Sequence, residues 1–358
     1  MYERRHLAWV TLPIMGTLTA ACSRATGGPA TEPPYPPSPV IESVSWDLAS
    51  LVRKAPGSDL WALAWADDGD LYAAWGDGGG FGGTNSDGRV SLGVARLEGP
   101  ATDFTGHNVW GGKDCEVPAT FPGKSNGIVS VGGVLYMAVV EQGNWLRSKI
   151  GRSTDHGRSW TFSSDGWDFA EPDGAFSDIA FLTFGRDYQG ARAGFVYAYS
   201  QDKRASPKQY DIAMFRVPRD QIMTRSAYQY FAGLDDRGKP SWTRDIAKRQ
   251  PVFTDPNGVG WGVRVSYHPG LRRYLLTAHH DESGGWGLFD APEPWGPWAT
   301  VAYYDKWIDS TFKFGFTFNQ KWMSADGRAA YMVFSGTGIY DSFNVVKATF
   351  VLRQSTTR

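Results

Sequence analysis

Three short segments place an aspartate where the chain can bring it against a ligand. Gly57-Ser58-Asp59 runs straight into the apolar stretch Leu60 to Trp65. Trp75-Gly76-Asp77 opens a loop with six glycines among residues 76–83. Ser200-Gln201-Asp202 closes the apolar stretch that begins at Phe195. Paired carboxylates can split a glycosidic bond. One is protonated and gives its proton to the leaving oxygen, while the other activates water or attacks the sugar carbon. The two must titrate differently, which partial burial and crowding of like charges produce. Asp59 and Asp77 are the expected acid and base, with Asp202 as a third, tuning group and Asp178 in reserve. The glycine-rich loop looks like a phosphate cradle, but no helix or lysine follows it at Walker spacing, which argues against a nucleotide.

These acids are far apart in sequence, so an element that gathers distant segments is required. One unit recurs five times: an apolar strand, a tight turn, a second apolar strand opening near a tyrosine, then a more amphipathic hairpin. The tyrosines fall at 72, 136, 197, 274 and 331. Near-continuous apolar strands are buried on both faces. Two buried strands followed by two half-exposed ones make a propeller blade, and five make an all-β, five-bladed β-propeller. The fifth unit lacks one strand, and Val40 to Trp46 is placed to supply it and close the ring. A two-sheet sandwich also has short, evenly spaced strands, but not four of them in each period of about 60 residues.

In a propeller, the starts of inner strands and the ends of second strands share one face. That rule gathers Asp59, Asn126, Asp178, Arg264 and Gln320 with Asp77, Glu141, Asp202, His279, His280 and Asp281 around one mouth. Asp67, Asp68, Asp70 and Asp326 go to the opposite rim. Asn126, Asp178, Arg264 and His279 are candidate substrate ligands, and Trp61 and Trp261 are candidate sugar-stacking surfaces. Trp75, Trp145 and Trp286 lie near the same face. Taken singly, each tryptophan is as well explained by packing between blades and each aspartate by loop capping. Adjacent His279 and His280 point to opposite faces of a strand, so no metal centre is expected there. A structural calcium in the channel is left open.

Composition narrows the function classes. Lys plus Arg number 36 and Asp plus Glu 37, so nothing favours nucleic acid, whose binding rests on phosphate neutralisation. The N-terminus reads as targeting sequence. Arg4 and Arg5 precede an apolar stretch ending Leu18-Thr19-Ala20-Ala21-Cys22, which resembles a bacterial lipobox apart from Thr19. The expected organisation is a signal peptide over 1–21, lipidation at Cys22, a Pro-rich tether over 22–39, the propeller over 40–352 and a tail over 353–358. That implies a monomer held outside the cytoplasm by a lipid anchor, or secreted.

Ser153-Thr-Asp155-His-Gly157-Arg-Ser-Trp160 resembles the Asp-box of sialidase-type propellers, a structural marker at the blade periphery. Ala291-Pro-Glu-Pro-Trp-Gly296-Pro297-Trp298 resembles an outer-hairpin turn of five-bladed furanosidases. Together with GSDLWALAWADDGDLYAAWGDG, KWMSADGR and DSFNVVKATF, these segments resemble the bacterial propeller proteins labelled domain of unknown function 4185. Some relatives in that grouping are endo-D-arabinofuranosidases. The resemblance implies an extracytoplasmic glycoside hydrolase acting on a furanoside-containing polysaccharide such as arabinan. The competing reading is a non-catalytic propeller that holds glycan without cutting it.

Overall fold

A computed structural model describes residues 31–164, 178–202, 209–280 and 284–354. Cys22 and Asp281 lie outside the described residues, as does the Trp145 side chain.

Five antiparallel sheets make up the fold. β1 (Ile41–Lys54) comes first in the chain. Blade 1 contains β2 (Asp59–Trp65), β3 (Leu71–Gly76), β4 (Leu92–Glu98) and β5 (Thr105–Trp110). Blade 2 contains β6 (Gly123–Val131), β7 (Val134–Glu141), β8 (Asn144–Ser153) and β9 (Thr161–Phe162). Blade 3 contains β10 (Ala180–Phe181), β11 (Phe195–Asp202), β12 (Asp211–Pro218), β13 (Gln229–Leu234) and β14 (Pro240–Thr243), and β15 (Pro251–Thr254) pairs with β12. Blade 4 contains β16 (Arg264–His268), β17 (Arg273–His279), β18 (Trp286–Ala291) and β19 (Ala299–Tyr304). Blade 5 contains β20 (Lys313–Met323), β21 (Ala329–Gly336) and β22 (Phe343–Leu352), with β1 on its outer edge.

The inner strands touch in sequence around a ring. β2 meets β6 and β20, β10 meets β6 and β16, and β16 meets β20. β1 pairs with β22 from Ile41↔Leu352 to Lys54↔Phe343, so N-terminal residues supply the strand that the fifth repeat lacks. The second strands β3 and β17 are buried along their whole length, because each blade face packs on a neighbouring blade. The turn after β2 closes with Ala66 N–H donating to the Asp70 carbonyl at 2.9 Å, and Gly69 takes a φ of 92° there. Few other residues adopt that conformation without strain.

Three details depart from the repeat pattern. Blade 3 has six strands, two more than the repeat unit, and β13 to β15 lie within a segment the period left unassigned. Residues 31–39 are more than a spacer: Tyr35 packs on Phe253 at 5.1 Å and Ser38 N–H donates to Thr300 at 2.8 Å. β20 begins at Lys313, eight residues ahead of the Lys321 expected from the apolar pattern. Gln320 consequently lies away from the mouth. Its amide donates to the carbonyls of Thr183 at 2.6 Å and Tyr267 at 2.7 Å, and its neighbour Lys321 reaches Asp70 on the opposite rim.

Candidate active site

A pocket of about 350 Å³ opens at the mouth and is lined by Asp59, Leu60, Lys124, Asn126, Val140, Asp178, Gln201 and Trp261. The volume falls in the range of small-ligand sites. Asp59 opens β2 in blade 1, Asn126 lies at a register shift within β6 in blade 2, and Asp178 stands two residues ahead of β10 in blade 3.

Asp59 sits at a distortion. β2 and β3 slip register between Asp59 and Ala62, and both Leu60 and Trp61 have positive φ, 71° and 29°. Such bulges re-aim side chains next to active sites. Here the bulge leaves Asp59 Oδ1 buried without a hydrogen-bond partner. Burial, with the Asp77 charge next in weight, pushes the Asp59 carboxyl up to about 7. Asp59 can therefore carry a proton near neutrality, which a general acid must do.

Arg264 holds the bulge. Its guanidinium is fully buried and donates to the carbonyls of Leu60 at 2.9 Å and Val263 at 3.0 Å and to Thr317 Oγ1 at 3.2 Å. Blades 1, 4 and 5 thus meet on one side chain. The sequence points to Arg264 as a substrate ligand, but its Nε, Nη1 and Nη2 each donate to the protein and it does not line the pocket. Burial pulls its pKa down to about 10, which still leaves it charged at neutral pH.

Asp178 lines the same pocket as Asp59 and accepts from Asn126 Nδ2 at 3.1 Å. Asp77 sits just behind, at a positive φ of 55°. It accepts from Lys124 Nζ at 2.5 Å and pairs with Arg89 Nη2 at 2.9 Å. It acts on Asp59 by its charge, and the pocket wall is formed by Lys124. The Asp341 carboxyl joins the group, raised by burial and then by the Asp77 charge, and its carbonyl accepts from Gly57 at 2.7 Å.

The other expected residues divide between support and core. Trp261 lines the pocket and packs on Phe314 at 4.4 Å. His279 is buried edge-on to Trp261 at 5.8 Å and to Phe312 at 5.0 Å, so it props the platform and forms no part of the wall. Trp61 is a correction. It is wholly buried, stacks on Trp75 at 5.6 Å and donates to the Ser58 carbonyl at 2.9 Å, so it offers no surface to a sugar. Asp202 is buried in a two-pronged ion pair with Arg249, at 2.9 and 2.8 Å. That geometry fits a structural clamp across the end of blade 3, and it is Gln201, one residue earlier, that faces the pocket. Glu141 pairs with Lys149 at 2.6 Å.

Sequence reasoning missed Lys124, Arg89 and Asp341. Arg89 occupies no repeat position that marks the mouth, and Lys124 is the second residue of β6, whose start precedes the apolar run at Ile128. Asp341 follows the end of β21, where the rule for second strands could have found it. On the opposite rim, Asp67, Asp68 and His156 bring candidate ligand atoms within 4.8 Å of one another. They are already engaged, with His156 bonded to Asp67 at 2.8 Å and Asp68 to the Tyr72 hydroxyl at 2.8 Å.

Comparisons with known proteins agree with this architecture. A protein of Bacteroides ovatus, provisionally described as a hydrolase, superposes with a TM-score of 0.56 over 85% of this chain and 90% of its own, at 11% identity. At that identity the likeness is one of fold. A GH43_1 enzyme of Xanthomonas citri scores 0.47 at 12% identity, over 88% and 92% of the two chains. The α-L-arabinofuranosidase of Podospora anserina, solved with cellotriose, scores 0.47 at 11% identity, over 90% and 96%. No curated protein matches the sequence. Residues 117–336, from just ahead of β6 to the end of β21, match a family model, and the chain belongs to that family, described as Domain of unknown function (DUF4185).

Proposed function

We propose that the protein is a glycoside hydrolase acting at the propeller mouth on a furanoside-containing polysaccharide such as arabinan. One observation carries the reading: two carboxylates from different blades, Asp59 and Asp178, line one pocket, and burial raises Asp59 to about 7. Asp59 serves as the general acid. Asp178, oriented by Asn126, serves as the carboxylate that activates water or attacks the sugar. Asp77, first expected as the base, sets the charge next to Asp59. Trp261 supports the reading because its ring edges the pocket, where it can carry the apolar face of a sugar. The furanoside assignment is supported by the family resemblance read from the sequence. An extracytoplasmic location through lipid on Cys22 belongs to the same proposal.

The test is a polysaccharide panel that includes arabinan, with reducing ends counted. Wild type releases products, and Asp59→Asn and Asp178→Asn do not. On an aryl furanoside with a good leaving group, Asp59→Asn recovers activity because protonation is no longer needed. Azide restores cleavage of that aryl substrate to Asp178→Asn by forming the glycosyl azide of inverted configuration, whereas any glycosyl azide formed by Asp59→Asn by way of a covalent intermediate keeps the configuration. Full activity in both variants defeats the assignment. Wild-type binding with no product release favours the non-catalytic glycan-binding reading.

A further inference from the structure

Asn126 is more than nine-tenths buried, yet its two amide atoms have different fates. Nδ2 donates to Asp178 Oδ1 at 3.1 Å. A carboxylate only accepts, so this bond fixes the orientation of the amide. Oδ1 is thereby turned the other way, and it is buried without a partner. Asn126 also lines the pocket. A buried acceptor left unpaired is costly, and native structures keep few of them. The chemistry that would satisfy it is a hydroxyl donor brought in by the ligand. Asp59 Oδ1, in the same wall, is likewise without a partner.

We infer that Asn126 determines specificity in this pocket: its carbonyl oxygen accepts from one ring hydroxyl of the sugar seated between Asp59 and Asp178, while its amide nitrogen holds Asp178. The inference rests on the glycoside hydrolase reading and adds to it a specific contact. A site that hydrogen-bonds a hydroxyl rejects the analogue lacking it much more strongly than an apolar pocket can. The bound sugar is therefore an intact, unmodified ring at that position.

The probe is the 4-nitrophenyl pentofuranoside that the wild-type protein cleaves fastest, compared with its 2-deoxy and 3-deoxy analogues, which each lack one ring hydroxyl. Wild type should lose about 10- to 100-fold in kcat/KM on one analogue. Asn126→Ala should cleave that analogue and its parent at nearly equal rates. Asn126→Asp keeps an acceptor, so it should preserve the discrimination. It removes the donor to Asp178 and adds a like charge, so its pH profile should shift. Equal discrimination by wild type and Asn126→Ala overturns the inference while leaving the hydrolase reading intact. If no glycoside is cleaved, the hydrolase reading fails. Calorimetric binding of methyl pentofuranosides then decides Asn126 separately, and affinities unaffected by deoxygenation, or no binding at all, overturn it.

Discussion

The Arg264 guanidinium donates to the Leu60 carbonyl at 2.9 Å, tying the inner strand of blade 4 to the bulge that presents Asp59. Neither residue does chemistry, yet the pair decides where the acid stands. Arg264→Met removes this tie while leaving every pocket-lining residue unmutated. It should lower kcat/KM by about 100-fold, the scale of a displacement near 1 Å. Arg264→Lys should not rescue, because a single ammonium cannot reproduce the guanidinium fork. Steady-state kinetics with a folded variant, checked by circular dichroism, is the measurement. Unchanged kcat/KM in the Met variant would refute the positioning role.

Asp77 and Lys124 act on Asp59 with opposite signs. Asp77 raises its pKa and Lys124 lowers it. With Asp59 as the acid, the alkaline limb of the kcat/KM profile follows its deprotonation. Asp77→Asn should move that limb to lower pH. Lys124→Met should move it to higher pH, both by removing a cation and by leaving Asp77 less compensated. Two limbs moving in the same direction would contradict this arrangement.

The same carboxyl should affect stability. Its folded pKa of about 7 lies above the ordinary value of 3.8. Between those values the folded state binds more protons than the unfolded one, so stability falls as pH rises through this window. The loss is complete above the folded value, and its slope cannot exceed about 1.4 kcal/mol per pH unit for one group. Asp59→Asn does not titrate. Its stability relative to wild type should therefore grow from pH 4 to pH 7 and level off, while activity is lost. Urea melts at several pH values give this directly, and a constant difference would mean that Asp59 titrates normally.

Trp61 and Trp261 should separate cleanly. Trp61→Ala opens a cavity in a wholly buried cluster with Trp75 and Phe343 and should cost about 3–5 kcal/mol. Trp261→Ala should leave the melting transition much closer to wild type and weaken glycan binding in affinity electrophoresis. Glycan binding lost in neither variant would mean that the mouth is not the glycan site.

Much of the architecture was legible because it rests on local rules. Near-continuous apolar runs, Gly and Asp turns and a recurring tyrosine specify four-strand units. Five units with one strand missing specify where Val40 to Trp46 must go. Blade topology alone then put Asp59, Asn126 and Asp178 at one mouth, since strand direction fixes which end faces which side. Side-chain facing was a different matter. Gln201 and Asp202 are adjacent on one strand, and only the fold reveals that the first meets the pocket and the second meets Arg249. Gln320 was misplaced because the true start of β20 precedes its apolar pattern. The bulge after Asp59, the Arg264 tie and the Lys124–Asp77 pair depend on contacts between residues far apart in the chain. No periodicity encodes such contacts, so the sequence determined the ring and its mouth, and tertiary packing decided which acid is desolvated and which is paired.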